Sequence, residues 1–290
     1  MNKAIKALLA VLLVAVVVLL VIRPWKQEPP DVTAPGIAYL EALEKKDPDA
    51  VLEVLRQRRQ DELKALREEL LRQIRDGEAD PFTQFQDSVI MGDSRAEGFW
   101  YFGFVDKTRT LTGAGHTILD ITKQLDQLEA MNPQYIYMTY GLNDLKIGIW
   151  GNSERFAAEY MEAVGKVRER LPDAVIVVSS ILPVREKLYE DAAKKLDDPE
   201  FTAKLTLEEK LEWQGLRRTR EIPAWNTVLA AACAEHNVIF CDGTAVSQAN
   251  MNLWEGDCIH MKQRFYPHWA RELILAALEE GGTHNENIDP

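Results

Sequence analysis

The sequence predicts an α/β domain built on a parallel sheet, with an apolar and then helical segment in front of it. Two observations lead to this fold class. From about residue 87 onward, short apolar runs alternate with longer stretches of helical periodicity. Such alternation is typical of parallel strands joined by helices that cover both faces of the sheet. Before that residue, an unbroken apolar run is followed by a proline-rich stretch and a highly charged helical pattern.

Residues 1–26 predict a membrane anchor. Every residue from Ala7 to Ile22 is apolar, and lysine or arginine flanks the run on both sides. The run is slightly short for a span, but Lys6 can extend to the interface and Trp25 can lie there. No small-residue cleavage site follows, which favours an uncleaved anchor over a signal peptide. We therefore expect a single-pass protein of the cell membrane with its large domain outside, although the basic flanks give only a weak preference for that orientation.

Residues 27–86 predict a linker and a helical stalk. Gln27–Gly36 contains three prolines and no apolar periodicity, which indicates a stiff linker. Ile37–Ile74 has a helical and highly charged pattern, and Asp47-Pro48 is expected to divide it, because Asp caps a helix and Pro is tolerated at its first position. Leucines follow one side of the second helix, but Arg59 interrupts them. A stalk is thus favoured over a long coiled coil.

Residues 87–290 predict the α/β domain itself. Five apolar runs indicate strands and the amphipathic stretches between them indicate helices. The predicted strands are Ser88–Met91, Arg109–Thr112, Tyr135–Tyr140, Ala174–Ser180 and Val238–Cys241. The predicted helices are Thr117–Leu128, Glu154–Leu171, Pro223–His236 and Pro267–Leu278. A charged segment at about 185–221 is expected to insert one or two helices on the catalytic side, either as a wall or lid or as a solvated excursion without a role.

Four short blocks lie just after predicted strands or before the last helix, and they hold the residue types of acyl-transfer chemistry. The blocks are Gly92-Asp93-Ser94-Arg95, Gly115-His116-Thr117, Gly141-Leu142-Asn143-Asp144 and Asp257-Cys258-Ile259-His260. Sites in open parallel sheets lie beyond the carboxyl ends of the strands, which is where the first three blocks fall. The placement therefore supports the chemistry independently of the residue types.

The first and last blocks predict a catalytic triad. Ser94 directly follows a strand, so its hydroxyl can be exposed in a turn as a nucleophile, although a helix N-cap is the alternative. Asp257 precedes His260 by three residues, so its carboxylate can bond one ring nitrogen while the other faces the serine as general base. His268 has no such aspartate and is expected on the surface or at a helix cap. Asp93 is expected to bond backbone N–H groups in the turn.

The middle blocks predict an oxyanion hole. Its three donors are the Ser94 N–H, the Gly115 N–H and the Asn143 side-chain amide, a neutral donor suited to a developing negative charge. Gly113 is an alternative to Gly115, and an Asx-turn is the alternative role of Asn143. His116 is a candidate substrate contact. Asp144 is expected to brace the loop.

Two tryptophans are further candidates for substrate binding. Trp150 and Trp254 lie close in sequence to the catalytic blocks, so they are hypothesised to line a sugar- or acyl-binding cleft, with core packing as the alternative. The aromatic residues after the nucleophile, from Phe99 to Phe104, are assigned mostly to the core. No compact set of metal-ligating residues has usable spacing, so neither a metal nor a cofactor is predicted.

On these four blocks the chain resembles the SGNH hydrolase superfamily, also called GDSL-like lipases and esterases, over about Asp87–Leu278. The resemblance implies a flavodoxin-like three-layer α/β/α sandwich. It also implies that Ser94, Gly115, Asn143 and His260 are the residues of the superfamily's name, with Asp257 completing the triad. The family's first block usually has an apolar residue after the serine, where this chain has Arg95.

The expected function is that of a serine esterase that removes O-acyl or O-acetyl groups from cell-envelope glycans through an acyl-enzyme. An O-acyltransferase with the same residues is one alternative, and a catalytically silent envelope scaffold is another. The net charge of −12 argues against a nucleic-acid partner, because phosphate binding requires a basic surface. Cys241 and Cys258 flank the predicted site, and buried thiols are favoured over a disulfide between them.

Overall fold

The computed structural model of the protein describes residues 3–22, 33, 36–37, 39, 42 and 48–285. The chain forms two compact units, Met1–Ala65 and Leu66–Pro290. The first unit contains the helix Lys3–Ile22 and the beginning of the helix Pro48–Asp76. Most of the predicted linker and the predicted cap Asp47 lie outside the described residues. Within the part of the chain that the structure describes, no helix has the length and hydropathy needed to cross a membrane.

The second unit is built on a five-stranded parallel sheet with strand order β2-β1-β3-β4-β5. This is the order of flavodoxin-like sheets. All five predicted strands form, and no strand end differs from its predicted position by more than one residue. They are β1 (Ser88–Gly92), β2 (Thr110–Thr112), β3 (Tyr135–Thr139), β4 (Val175–Ser179) and β5 (Ile239–Cys241).

Helices cover both faces of the sheet. Apart from the inserted segment, those after β1 are Ser94–Tyr101, Leu119–Lys123, Leu125–Met131, Leu142–Ile147, Ser153–Arg170, Ile222–Glu235, Thr244–Ala249 and Tyr266–Asn285. Alternate residues of β1 enter opposite core layers: Val89 and Met91 face one, and Ile90 faces the other. The first layer contains Tyr160 of the helix Ser153–Arg170, and the second contains Trp269 of the last helix. Successive side chains of a strand point to opposite faces of the sheet, and here both faces are covered by helices. This is the physical basis of the predicted three-layer arrangement.

Two predicted helical segments differ in the structure. The stretch Thr117–Leu128 is not one helix but two, because Gln124 leaves the helical region with φ −102° and ψ 0°. The inserted segment holds three helices rather than one or two: Glu186–Leu196, Pro199–Thr202 and Leu207–Arg218. Local capping explains the number. Asp198 accepts hydrogen bonds from the N–H groups of Glu200 and Phe201, and Thr206 with Glu209 forms a capping box that starts the third helix.

The sheet brings three of the sequence blocks to one edge. Gly92 at the end of β1 pairs with Thr112 of β2 on one side and with Thr139 of β3 on the other. The loops that leave these three strands are therefore neighbours. This edge between β1 and β3 is the topological switch point of the fold, where open α/β sheets place their ligand sites.

Candidate active site

The turn that carries Ser94 is buried and tightly constrained. Gly92 is required at its start, because a Cβ atom there would lie 2.1 Å from Thr139 Oγ1. Asp93 then caps the helix Ser94–Tyr101, with its Oδ1 accepting a 2.9 Å hydrogen bond from the Arg95 N–H. The prediction that Asp93 bonds backbone N–H groups is confirmed. The N-cap alternative for Ser94 is wrong, since Ser94 is the first residue within the helix.

The structure brings Ser94, His260 and Asp257 into one hydrogen-bonded chain. Ser94 Oγ lies 2.9 Å from His260 Nε2, although the two residues are 166 positions apart. On the other side of the ring, His260 Nδ1 lies 2.6 Å from Asp257 Oδ2. The second oxygen, Asp257 Oδ1, accepts hydrogen bonds of 2.9 Å from the backbone N–H groups of Ile259 and His260. One carboxylate thus holds both the loop and the orientation of the imidazole.

The Asp257 carboxyl is kept ionised by these contacts. Partial burial acts to raise its pKa, but the hydrogen bonds from the His260 ring and from the Ile259 and His260 N–H groups outweigh burial. The pKa of Asp257 therefore lies below its ordinary value. An ionised carboxylate on one ring nitrogen selects the tautomer whose other nitrogen accepts a proton from serine.

Arg185 holds the loop that carries His260, a role for which the local sequence gave no signal. Its guanidinium donates to the carbonyl of Trp254 at 2.9 Å and to that of Met251 at 3.3 Å. Its backbone N–H donates to the Cys258 carbonyl at 3.0 Å. Cys258 has φ +68°, a conformation that is strained for a residue other than glycine. The contacts from Arg185 thus help to maintain an unfavourable turn between Asp257 and His260.

Three backbone and side-chain donors lie at the switch-point edge. Ser94 opens its helix, and the first N–H of a helix has no partner inside the helix. Gly115 has φ +77°, which favours glycine. Asn143 donates one amide hydrogen to the His116 carbonyl at 3.0 Å, and the second remains for another acceptor. Gly113 is a poorer candidate than Gly115, because its N–H already donates to the Gly92 carbonyl at 3.2 Å.

Asp144 and Trp150 brace the Asn143 loop. Asp144 is fully buried, and its Oδ1 accepts hydrogen bonds from Trp150 Nε1 at 2.8 Å and from the Ile118 N–H at 3.3 Å. Burial raises the pKa of Asp144 to about 6 against the opposing effect of these bonds. The expected bracing role of Asp144 is confirmed. The Trp150 ring is buried in the same contact, which favours core packing over the hypothesis that it lines a cleft.

Comparison with known proteins decides the family. The sequence matches the GDSL-like lipase/acylhydrolase family over residues 90–266, a stretch that contains all four blocks. The chain belongs to the GDSL-like lipase/acylhydrolase family. It is accordingly an enzyme of the carboxylic ester hydrolase class. None of the curated proteins compared matches the sequence.

Several solved structures are similar in fold to this family member. A GDSL-like lipase from Bacteroides thetaiotaomicron is 14% identical with a TM-score of 0.46, and the match covers 70% of this chain and 92% of the other. The lipase/acylhydrolase from Enterococcus faecalis is 12% identical with a TM-score of 0.49, covering 67% and 96%. An acetylxylan esterase from Geobacillus stearothermophilus is 14% identical with a TM-score of 0.43, covering 65% and 92%.

In this GDSL-family chain the open space beside Ser94 is lined by aromatic residues, three of which belong to the stretch Phe99–Phe104 that the sequence assigns mostly to the core. The cleft has a volume of about 400 Å³. Its lining consists of Ser94, Glu97, Gly98, Trp100, Tyr101, Phe102, Glu255, His260, Met261 and Tyr266. Helical spacing could have revealed part of this wall. Residues three, four and seven positions after Ser94 lie on its side of the helix, and these are Glu97, Gly98 and Tyr101.

The other candidate residues near the site have mainly structural surroundings. Trp254 is 1% exposed, packs against Phe265 at 4.7 Å and donates from Nε1 to the Pro183 carbonyl, which favours core packing over a place in a cleft. The His116 ring lies over Gly113, where a Cβ atom would be 2.3 Å from its Nε2. Contact between His116 and substrate stays a prediction.

Arg95, which stands where the family usually has an apolar residue, is also structural. It is 2% exposed, donates to the Leu182 carbonyl at 2.8 Å and lies 3.7 Å from the Asp93 carboxylate. The thiols of Cys233, Cys241 and Cys258 are buried, and no disulfide joins them within the described residues.

Proposed function

We propose that this protein is a serine esterase that works through an acyl-enzyme on Ser94. The observation that carries the proposal is the continuous chain from Ser94 Oγ through the His260 ring to the Asp257 carboxylate, with steps of 2.9 and 2.6 Å. These distances lie in the range in which a base removes a proton from a nucleophile and a third group orients the base.

The reaction has two halves. In the first, Ser94 Oγ attacks the ester carbonyl carbon while its proton passes to His260 Nε2, and the carbon–oxygen bond to the alcohol then breaks as His260 returns that proton to the leaving oxygen. In the second, His260 takes a proton from water, and the resulting hydroxide attacks the acyl carbon. The acid leaves as Ser94 regains its proton. Asp257 stabilises the imidazolium that forms in both halves.

The negative charge of each tetrahedral intermediate is assigned to three donors. They are the N–H groups of Ser94 and Gly115 and the free amide hydrogen of Asn143, all of which follow neighbouring strands at one sheet edge. Each such donor is typically worth about 10²–10³-fold in turnover. The hydrogen bond from Asn143 to the His116 carbonyl supports the assignment, because it ties the loops after β2 and β3 together.

For the substrate we propose O-acyl or O-acetyl esters on glycans of the cell envelope. Two features support this substrate. The cleft beside Ser94 offers an aromatic wall of the kind on which sugar rings pack, and the sequence in front of the domain favours attachment to a membrane. Ester hydrolysis with water as acceptor is the reaction that the residues of the triad accomplish by themselves.

Attachment to the cell membrane, with the catalytic domain outside, is a separate proposal. It rests on the apolar run Ala7–Ile22, whose described residues 8–18 are all exposed. A contiguous apolar surface of this kind is uncommon on a soluble protein. Carbonate extraction of membranes tests the attachment, and proteolysis of intact cells tests the orientation. Release of the full chain into the carbonate supernatant contradicts the anchor, and protection of the domain in intact cells contradicts its orientation.

The catalytic proposal is tested by the mass of the full chain after treatment with a serine-reactive fluorophosphonate. We expect a single adduct that is absent from Ser94→Ala and forms more slowly in His260→Ala. Ester turnover measured on the same samples should fall by at least about 10³-fold in Ser94→Ala. A Ser94→Ala variant with wild-type turnover, or a folded wild-type protein that forms no adduct, would contradict the assignment and favour a silent scaffold.

A further inference from the structure

We propose that the cleft beside Ser94 binds a neutral sugar ring of the ester substrate, and that Glu97 and Glu255 exclude esters whose group in the cleft is negatively charged. The proposal rests on the proposed function, because it takes Ser94 as the reacting atom. It goes further by separating neutral from anionic glycans.

The aromatic side of the cleft presents an unusual exposed ring. Tyr101 is 71% exposed, although it lies only two helical turns from Ser94 and on the same side of the helix. Its ring meets Phe102 edge-to-face at 5.1 Å and Trp100 at 6.2 Å. These contacts leave most of the surface of the ring accessible. An exposed aromatic ring beside a nucleophile offers a face for the apolar side of a sugar.

The acidic side of the cleft comes from two different elements. Glu97 lies on the helix that Ser94 opens, and Glu255 lies on the loop that carries His260. Within the described residues, neither carboxylate is within ion-pairing distance of a lysine or arginine, and the cleft lining contains neither residue type. Lys107 lies over the Trp100 ring, 4.4 Å from its centroid, in a cation–π contact. Within the described residues, the negative charge of Glu97 and Glu255 is therefore not neutralised by a direct cationic partner.

This arrangement selects by charge and by hydrogen bonding. Ionised carboxylates only accept hydrogen bonds, so they bind hydroxyl donors and leave a second carboxylate or a phosphate without a donor. With an effective dielectric constant between about 80 and 40, each carboxylate about 6 Å from an anionic group disfavours its binding by about 3- to 10-fold. Two of them together predict discrimination of about 10- to 100-fold, decreasing as salt screens the charges.

Charge selection is tested with two matched acetylated oligosaccharides, one neutral and one with a uronic acid next to the acetylated sugar. With the full-length protein we expect kcat/KM to favour the neutral ester by at least about 10-fold at low salt. In the Glu97→Gln, Glu255→Gln double variant the ratio should fall to within about 2-fold, mainly because KM for the anionic ester decreases. Glu212→Gln, at an exposed position on the helix Leu207–Arg218, is the matched control and should retain the wild-type ratio.

The aromatic part of the proposal has its own variants. Tyr101→Ala should lower kcat/KM for the neutral oligosaccharide relative to that for p-nitrophenyl acetate by about 10-fold, and Tyr101→Phe should restore it. Leu207→Ala, which removes a side chain that is 74% exposed on the inserted segment, is the control and should change neither value.

Fluorophosphonate labelling of the same samples separates the possible failures. Protein that forms no adduct contradicts the catalytic role of Ser94, and the inference about its cleft is then wrong as well. Protein that is fully labelled but hydrolyses both esters equally contradicts the cleft inference alone. If the Glu97→Gln, Glu255→Gln double variant still prefers the neutral ester, the cleft inference is also contradicted, because charge selection must then come from other residues.

Discussion

Within the proposed triad, the nucleophile Ser94 and the pair formed by His260 and Asp257 are held in place by different means. Ser94 follows a buried strand and a cap that is 1% exposed, so its position depends on the core of the domain. The side chains of His260 and Asp257 are 43% and 48% exposed, and their position depends on hydrogen bonds within one loop and on Arg185. The nucleophile is thus coupled to folding, whereas the base and its aspartate are not. Substitutions on the two sides should separate stability from activity.

The largest difference is expected between Asp257→Asn and Asp93→Ala. Asp257→Asn should lower kcat by about 10²–10⁴-fold, because an amide next to His260 Nδ1 favours the wrong tautomer. Its free energy of unfolding should change by less than about 1 kcal/mol, since the side chain is half exposed. Asp93→Ala removes a helix cap and leaves the Arg95 guanidinium buried without its carboxylate, which should cost about 3 kcal/mol. Urea unfolding together with ester turnover measures both, and equal stability loss in the two variants would contradict the comparison.

Asn143→Ala tests the side-chain donor of the proposed oxyanion hole. We expect kcat to fall by about 10²–10³-fold with a small change in KM, because the amide acts on the charge that develops in the transition state. Asn152→Ala is the matched control. Asn152 caps the helix Ser153–Arg170 through a 2.9 Å hydrogen bond from the Arg155 N–H. Its loss should cost about 1 kcal/mol of stability and leave kcat unchanged. An Asn143→Ala variant with normal kcat would remove this residue from the oxyanion hole.

Arg185→Ala tests whether the His260 loop is held from the inserted segment. Two hydrogen bonds from the guanidinium to the Trp254 and Met251 carbonyls are lost, so the loop should position His260 less well. We expect kcat to fall by about 10-fold with KM nearly constant, and Arg185→Lys to restore part of the loss. Arg155→Ala, whose side chain is 65% exposed, is the control. A lower kcat/KM that results only from a higher KM would contradict a positioning role and indicate contact with substrate.

The last comparison concerns the pH dependence of stability near the Asn143 loop, where an effect on stability and none on the triad is expected. Burial raises the pKa of Asp144 from 3.8 to about 6, so between these values the folded state holds a proton that the unfolded state has released. The free energy of unfolding therefore decreases as pH rises through this window and stays lower above it. Asp144→Asn should reduce that decrease by about 1–3 kcal/mol, measured by urea unfolding at several pH values. The exposed Asp126→Asn is the control, and a variant curve parallel to that of the wild type would contradict the raised pKa.

The sequence predicted the sheet well because the apolar runs that mark buried strands can be read locally, although the pairing of the strands cannot. The stretches around Ile90, Tyr137 and Val177 are buried on both faces of the sheet, so each is a short apolar run that is visible without any knowledge of its partners. The helix boundaries were less predictable. The break at Gln124 has no glycine or proline to mark it, whereas Asp198-Pro199 and the capping box at Thr206 were signals that the sequence reasoning missed.

For the site, the sequence by itself determined which chemical groups lie at the switch-point edge, because each block follows its strand directly and parallel strands end at the same edge. Only the tertiary structure decided which aromatic rings meet solvent and what holds the His260 loop. Trp254 is buried against Phe265 with its Nε1 donating to the Pro183 carbonyl, and Trp150 is buried with its Nε1 donating to Asp144. Arg185 reaches the His260 loop from a segment about 70 residues away in sequence. Burial and positioning of this kind depend on contacts between distant segments, which the periodicity of a single chain does not record.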